Sequence, residues 1–258
     1  MVPGNVSVSG TLSMEAFDDA IVYFLYAMRM GIVKSGSGNF TYVCTPTSVN
    51  AFPTRTLSLT IVRNSQVFGY VGCVVSKLTL SITNDILQLD VDILGLNEST
   101  QSTPTPTWST GTPYGPGIWN IGIPTGSQVF DMDTFSYSID EAGAAAYRLK
   151  NTGVNSGRGA QFISMGERTV QMTASRDFID KTDYGLFQAG TAQSVTILGQ
   201  KTVNNSISLL MGSVFKSAMQ IPLSAQGDII RASLTYDSTI DGSGNATVIT
   251  VLTQENIT

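Results

Sequence analysis

Along most of the chain, apolar and polar side chains alternate with a period of two, the pattern of strands that bury one face and solvate the other. Leu57, Leu59 and Ile61 alternate with Thr56, Ser58 and Thr60; Leu78, Leu80 and Ile82 with Thr79 and Ser81; Leu87, Leu89, Val91 and Ile93 with Gln88, Asp90 and Asp92. Phe135, Tyr137 and Ile139 alternate with Ser136 and Ser138, and similar runs occupy residues 169–174, 194–198, 206–211, 219–223, 229–236 and 246–253. Gly, Asn, Asp and Ser separate these runs, so hairpins are the natural connection. The predicted class is all-β.

Two segments depart from this period and predict helices. In residues 18–30, Ile21, Phe24, Leu25 and Met28 fall at i, i+3, i+4 and i+7, with Asp18 and Asp19 at the positive N-terminal end and Gly31 as a stop. Residues 176–189 carry Phe178, Ile179, Leu186 and Phe187, with Gly185 inside and Gly190 behind. The two segments correspond at a shift of 158: Thr11, Leu12 and Met14 fall on Thr169, Val170 and Met172, and Asp19, Ile21, Tyr26 and Met28 fall on Asp177, Ile179, Tyr184 and Leu186. Beyond the helices the order of strands repeats with different gaps, so residues 67–82 and 87–95 are echoed by 214–236 and 246–253. This predicts an internal duplication, against the alternative that β-rich patterns align by accident. It gives tandem sandwich or barrel modules over residues 1–103 and 125–258, joined by a Pro- and Gly-rich connector over 104–124.

The stretch 97–126 holds Pro104, Pro106, Pro113, Pro116 and Pro124 together with both tryptophans, Trp108 and Trp119, and so predicts a break in the sheet. Trp108, Tyr114 and Trp119 are candidates for a contact loop between subunits or rings; the other reading has the tryptophans folding back over an open end of the sandwich.

Composition removes most chemistry. The 258 residues include no histidine and two cysteines, so neither a His-based catalytic relay nor a Cys₄ zinc site is possible. A net charge of −5 argues against tight binding to nucleic acid. The longest apolar run, residues 20–28, is half of what a membrane span needs, and no basic residue precedes Arg29, so neither a span nor a signal peptide is expected. Cys44 and Cys73 read as two reduced, core-filling thiols or as one bridge. No phosphate-binding glycine loop accompanies Lys34, Lys181, Lys201 or Lys216, and neither carboxylate pair, Asp90 with Asp92 or Asp131 with Asp133, has the further ligands of a calcium loop. Neither a metal nor a cofactor is expected, and no enzymatic activity. Gln88, Asp90 and Asp92 make an acidic stripe opposite Leu87, Leu89 and Val91, either a plain solvated face or a surface with a role of its own.

The run QVFGYVGCVVSKLTLSI over 66–82, followed by LQLDVDILG over 87–95, resembles the tail tube proteins (major tail proteins) of long-tailed bacteriophages. Residues 135–139, 147–149, 166–168 and 173–190 resemble the same family in the same order. The resemblance implies a β-sandwich with one flanking helix, assembled into rings whose long hairpins form a β-barrel lumen, the rings stacking into the tube through which DNA leaves the virion. It implies a virion location after assembly in the host cytoplasm. It also implies contacts with further copies of the chain and with tape measure, tail terminator and baseplate proteins, and DNA that passes without specific binding. On this reading Gln88, Asp90 and Asp92 face the lumen, Ile21, Phe24, Leu25 and Met28 pack the helix, and three chains of two modules make a pseudo-sixfold ring, six chains being the alternative. Outside the family, a secreted or surface carbohydrate-binding or adhesive β-sandwich fits the Ser/Thr-rich sheets, and a glycosidase using carboxylates alone fits less well.

Overall fold

The structure, a computed structural model, describes residues 7–47, 55–83, 86–99, 101–105, 111–129, 132–146, 160, 162–178, 181–221, 230–239 and 245–257. The first half contains β1 (Val8–Glu15), α1 (Asp18–Tyr26), β2 (Met30–Ser35), β3 (Phe40–Pro46), β4 (Leu57–Arg63), β5 (Gln66–Thr83), β6 (Gln88–Gly95) and β7 (Asn97–Ser99). After it come β8 (Trp119–Gly122), β9 (Gln128–Val129), β10 (Met132–Asp140), β11 (Ala144–Ala146), β12 (Phe162–Ser164), β13 (Thr169–Asp177), α2 (Thr182–Gln188), β14 (Gln193–Thr202), β15 (Asn205–Gln220), β16 (Arg231–Thr239) and β17 (Val248–Thr253). Among the described residues strands dominate and the α-helices are two, as the alternating pattern predicts.

Two long strands organise the molecule. The first part of β5 pairs with β4 and β7, and its second part with β6 and β10. In the same way the first part of β15 lies between β14 and β17, and its second part pairs with β16. One layer is therefore an antiparallel run of seven strands in the order β1, β6, β5, β10, β13, β16, β15. The second layer carries β14, β17, β3 and β2 around β15 and a smaller β4–β5–β7 unit around β5. The sheet does not close into a barrel within one chain. A single apolar core runs through both halves, from Ile21 and Leu25 through Leu78, Leu89 and Tyr137 to Ile207 and Val251.

The pairing order recurs: β1–β6–β5–β4 in the first half matches β13–β16–β15–β14 in the second. Leu12 and Met14 of β1 and Val170 and Met172 of β13 occupy the same inward positions, as the 158-residue shift requires. The partners of the later strands differ from the sequence correspondence. By hydrogen bonding β5 matches β15 alone and β6 matches β16, whereas the sequence pattern pairs residues 67–82 with 214–236. The halves also share sheets, since β10 bonds to β5 and β17 to β3.

Helix α1 forms where expected, with the Ala20 N–H donating to Asp19 Oδ1 at 2.8 Å in its first turn. Ile21, Leu25 and Met28 are fully buried and Phe24 is 8% exposed, each contributing about 1.5–3 kcal/mol by leaving water. The helix ends at Tyr26, short of the expected residue 30, because β2 begins at Met30 and the Val75 N–H already bonds to the Ala27 carbonyl at 3.0 Å. Gly31 is not the stop; it lies inside β2 opposite Thr45. The glycines that matter here are Gly36 and Gly38, whose φ of 97° and 82° make the β2–β3 turn. Helix α2 is also shorter than predicted. Arg176 belongs to β13, Ile179 lies outside the described residues, and no side chain of Thr182–Gln188 is fully buried.

The proline-rich stretch is not free of sheet. β7 ends before Pro104 and β8 fits between Pro116 and Pro124, short enough that no proline interrupts a ladder. Trp108 lies outside the described residues. Tyr114 and Trp119 fold back into the protomer: Tyr114 is fully buried, and the Trp119 ring packs edge-on to Phe135 with centroids 5.2 Å apart. Gly199 has to be glycine for this, since a Cβ there would lie 2.5 Å from the indole. Of the two readings of the aromatics, the folded-back one describes Tyr114 and Trp119. The buried Tyr114 offers no surface to another subunit in this conformation.

Candidate functional site

The seven-stranded layer sets opposite chemistry on its two faces. Neighbouring side chains on a strand point to opposite sides, so the cross-strand register sorts them into rows. One row facing the core runs Met14, Leu89, Leu80, Tyr137, Met172, Tyr236, Lys216; the next runs Leu12, Val91, Leu78, Ile139, Val170. The interleaved rows on the other face are polar. Ser13, Asp90, Thr79, Ser138, Gln171 and Asp237 form one, ending at Phe215 on β15. Glu15, Gln88, Ser81, Ser136, Thr173 and Thr235 form a second, and Thr11, Asp92, Lys77, Asp140 and Thr169 a third.

The structure thus brings Gln88, Asp90 and Asp92 onto one face, with Gln88 exposed and the aspartates half-buried by their neighbours, while Leu87, Leu89, Val91 and Ile93 are in the core. The expected hairpin of β5 and β6 is present, with Thr79 opposite Asp90 and Lys77 opposite Asp92. The second-half hairpin around residues 214–236, expected beside it, lies in the same layer as β15 and β16 but is separated from it by β10 and β13. Sequence reading saw the stripe of one strand. It missed that Asp140, Asp177 and Asp237 continue it across the second half, because cross-strand register is not visible in local periodicity.

The face is acidic but locally neutralised. Thr11 donates to Asp92 Oδ1 at 2.6 Å, Gln171 to Asp237 Oδ1 at 2.7 Å, and Lys77 lies 3.9 Å from Asp140. At one end Arg231 meets Asp133 at 2.6 Å and Asp177 at 3.7 Å. Most of the remaining area is hydroxyl groups. Such a surface offers no cluster of cations to a phosphate backbone and repels it weakly, through water and counter-ions. Among the described residues no three carboxylate or thiol side chains gather as metal ligands would.

Two buried polar clusters join parts of the chain that are distant in sequence. Glu141, just past β10, is fully buried between Arg29 and Arg168: its Oε2 accepts from Arg29 Nε at 2.5 Å and its Oε1 from Arg168 Nε at 2.6 Å. The guanidinium of Arg29 also donates to the Gly166 carbonyl at 2.7 Å, and that of Arg168 to the carbonyls of Thr47 at 3.0 Å and Arg29 at 2.7 Å. Arg29 comes from the first half and the other two from the second, so the triad ties the halves at the β5–β10–β13 seam. In the second cluster Asp18, at the start of α1, accepts from Tyr114 and from Asn205 at 2.7 Å and pairs with Lys201 at 3.1 Å. Burial, and then the charge of Asp18, push the Tyr114 phenol well above its usual range. Sequence reading gave neither Arg29 nor Glu141 a role and placed Arg168 only in a family pattern. Arg29, a lone charge between Met28 and Met30, was the available signal; Glu141 beside Asp140 and Arg168 beside Glu167 gave none.

Cys44 and Cys73 are both free and buried, and burial raises the Cys44 thiol to about 12. The two-thiol reading therefore describes them. A comparison with curated proteins finds no match. A family model described as phage tail tube protein matches residues 1–241 of the 258, and with that coverage, over an all-β chain with one continuous polar face, the protein belongs to the phage tail tube family and is a structural component of the phage tail.

Proposed function

We propose that the chain assembles into stacked rings with the polar face of the seven-stranded layer turned inward, and that these rings form the conduit for the phage genome. The observation that carries this reading is the continuity of the hydroxyl- and carboxylate-rich rows across both halves of the chain. A lumen wall needs a face that is wettable, uninterrupted and unattractive to phosphate, and Gln88, Asp90 and Asp92 are its first-half members. The protein works by shape and electrostatics, without catalysis or cofactor. The recurrent pairing order supports two modules per chain, over residues 1–103 and 125–258.

The width of the layer favours three chains per ring. With strands about 4.8 Å apart and tilted by roughly 40°, seven strands from each of three chains close a barrel about 40 Å across between backbones, whereas six chains would give about 80 Å. The smaller wall, lined by side chains, leaves a bore suited to one DNA duplex. Assembly in the host cytoplasm, a tape measure protein inside the lumen, and terminator and baseplate proteins at the two ends follow from the family. Charge-detection mass spectrometry of single rings tests the stoichiometry: three chains are expected, and six would overturn the preferred ring.

A further inference from the structure

The seam between the halves has a counterpart at the two ends of the chain. Within the chain, α1 lies beside β5 and is covered by the β14–β15 hairpin of the other half; Asp18 at its first turn meets Asn205 and Lys201 of that hairpin. Helix α2 lies beside β15 in the corresponding place, yet among the described residues nothing comparable covers it: Tyr184 is 40% exposed, and Leu186 and Phe187 are half-exposed. Among the described residues, β15 beyond Val214 bonds to β16 on one side only. At the opposite end β1 bonds, among the described residues, to β6 alone, and the β4–β5 hairpin, counterpart of β14–β15, presents Leu59, Ile61, Phe68 and Tyr70 half-exposed around a groove that β1 borders. The equivalent positions of Phe68 and Tyr70, Ile207 and Leu209, are buried inside the chain. Of the seven large apolar side chains exposed most among the described residues, Val62 lies on the β4–β5 hairpin and Tyr184 on α2. Unpaired edges flanked by apolar faces call for a partner.

We propose that the partner is a second copy of this chain, docked head to tail, so that α2 and the free edge of β15 in one copy meet the β4–β5 hairpin and the β1 edge of the next. The inference rests on the ring reading and specifies its interface. The contact is heterologous, two different surfaces of one chain, which is the type that closes into rings. The hairpin tips superpose in register, because Arg63 opposite Gln66 matches Thr202 opposite Asn205. Gln66 then occupies the place of Asn205, and Thr182, matched to Asp18 as the first residue of its helix and not by the 158-residue shift, lies at the corresponding helix start. The seam between copies has no counterpart, among the described residues, of β10, of the β2–β3 hairpin that extends β17, or of the Arg29–Glu141–Arg168 triad. Rings therefore come apart into whole chains.

The double variant Thr182→Cys/Gln66→Cys tests the pairing, since both positions are exposed and the native thiols are buried. Under mild oxidation, assembled protein is expected to give covalent dimers and trimers on a reducing-agent-free gel, and each single variant none of them. Rings or tubes in the electron microscope without these crosslinks overturn the seam but leave the ring reading standing; a protein that never assembles overturns both. Phe187→Asp is expected to leave the circular dichroism and melting of the protomer unchanged while cutting assembly at least tenfold. Wild-type assembly by that variant overturns the proposal.

Discussion

Replacing Glu141 by Gln isolates the interaction that joins the two halves. The side chain keeps its size, yet Arg29 and Arg168 lose the carboxylate between them, and their side chains are 0% and 8% exposed. Two guanidinium charges then remain out of water with the Gln amide oxygen and backbone carbonyls as acceptors but no counter-charge between them. Breaking a buried ion pair from one side costs about 3–5 kcal/mol, more than the pair contributes, because the remaining charge is left uncompensated. For a chain of this size, with about 2–4 °C of melting temperature per kcal/mol, the expected loss is on the order of 10 °C. The assay is urea unfolding of dilute, disassembled protein, followed by circular dichroism and by tryptophan fluorescence. The midpoint should fall with both probes, since the triad spans the seam. A loss below about 1 kcal/mol would show that water reaches the guanidinium groups and that the triad does not fasten the halves.

Three further outcomes follow. Phe24→Asp places a carboxylate in the core beneath α1 and should prevent folding or lower the melting temperature by more than 10 °C, as burying an unpaired charge does; an unchanged melting curve refutes the packing. Cys44, with its thiol raised to about 12, should resist alkylation at pH 8 in the native protein and react only on unfolding; labelling at the rate of a free thiol contradicts its burial. The phenol of Tyr114 is raised by burial and by Asp18, and that of Tyr137 by burial, so both are held neutral in the fold. A folded pKa above the unfolded value near 10 gives stability that is complete below pH 10 and lost as the pH rises further. Tyr114→Phe should therefore flatten the decline of stability between about pH 10 and 12, and an identical decline in the variant removes the phenol from the account.

Local pattern carried the strands, α1 and the inward set Ile21, Phe24, Leu25 and Met28, because period and burial are properties of neighbouring residues. What it could not carry is which strand pairs with which. The residues 206–211 and 219–223 read as separate strands, yet β15 is continuous from Asn205 to Gln220, bonded first to β14 and β17 and then to β16. The end of α1 depended on a competition with β2, and the shortness of α2 on β13 running to Asp177; both are decided by tertiary bonds. Tyr114 looked available for contact because it sits among prolines, and Asp18, distant in sequence, draws it inside.

Electron cryo-microscopy of the assembled protein at a resolution that shows side chains tests the central claim most directly. The account predicts rings whose inner wall is the seven-stranded layer, with Gln88, Asp90, Asp92, Asp140 and Asp237 pointing into the lumen and Leu89 and Val91 away from it. A tube that carries these carboxylates on its outer surface, or a lumen built from β14, β17 and β3, would contradict it.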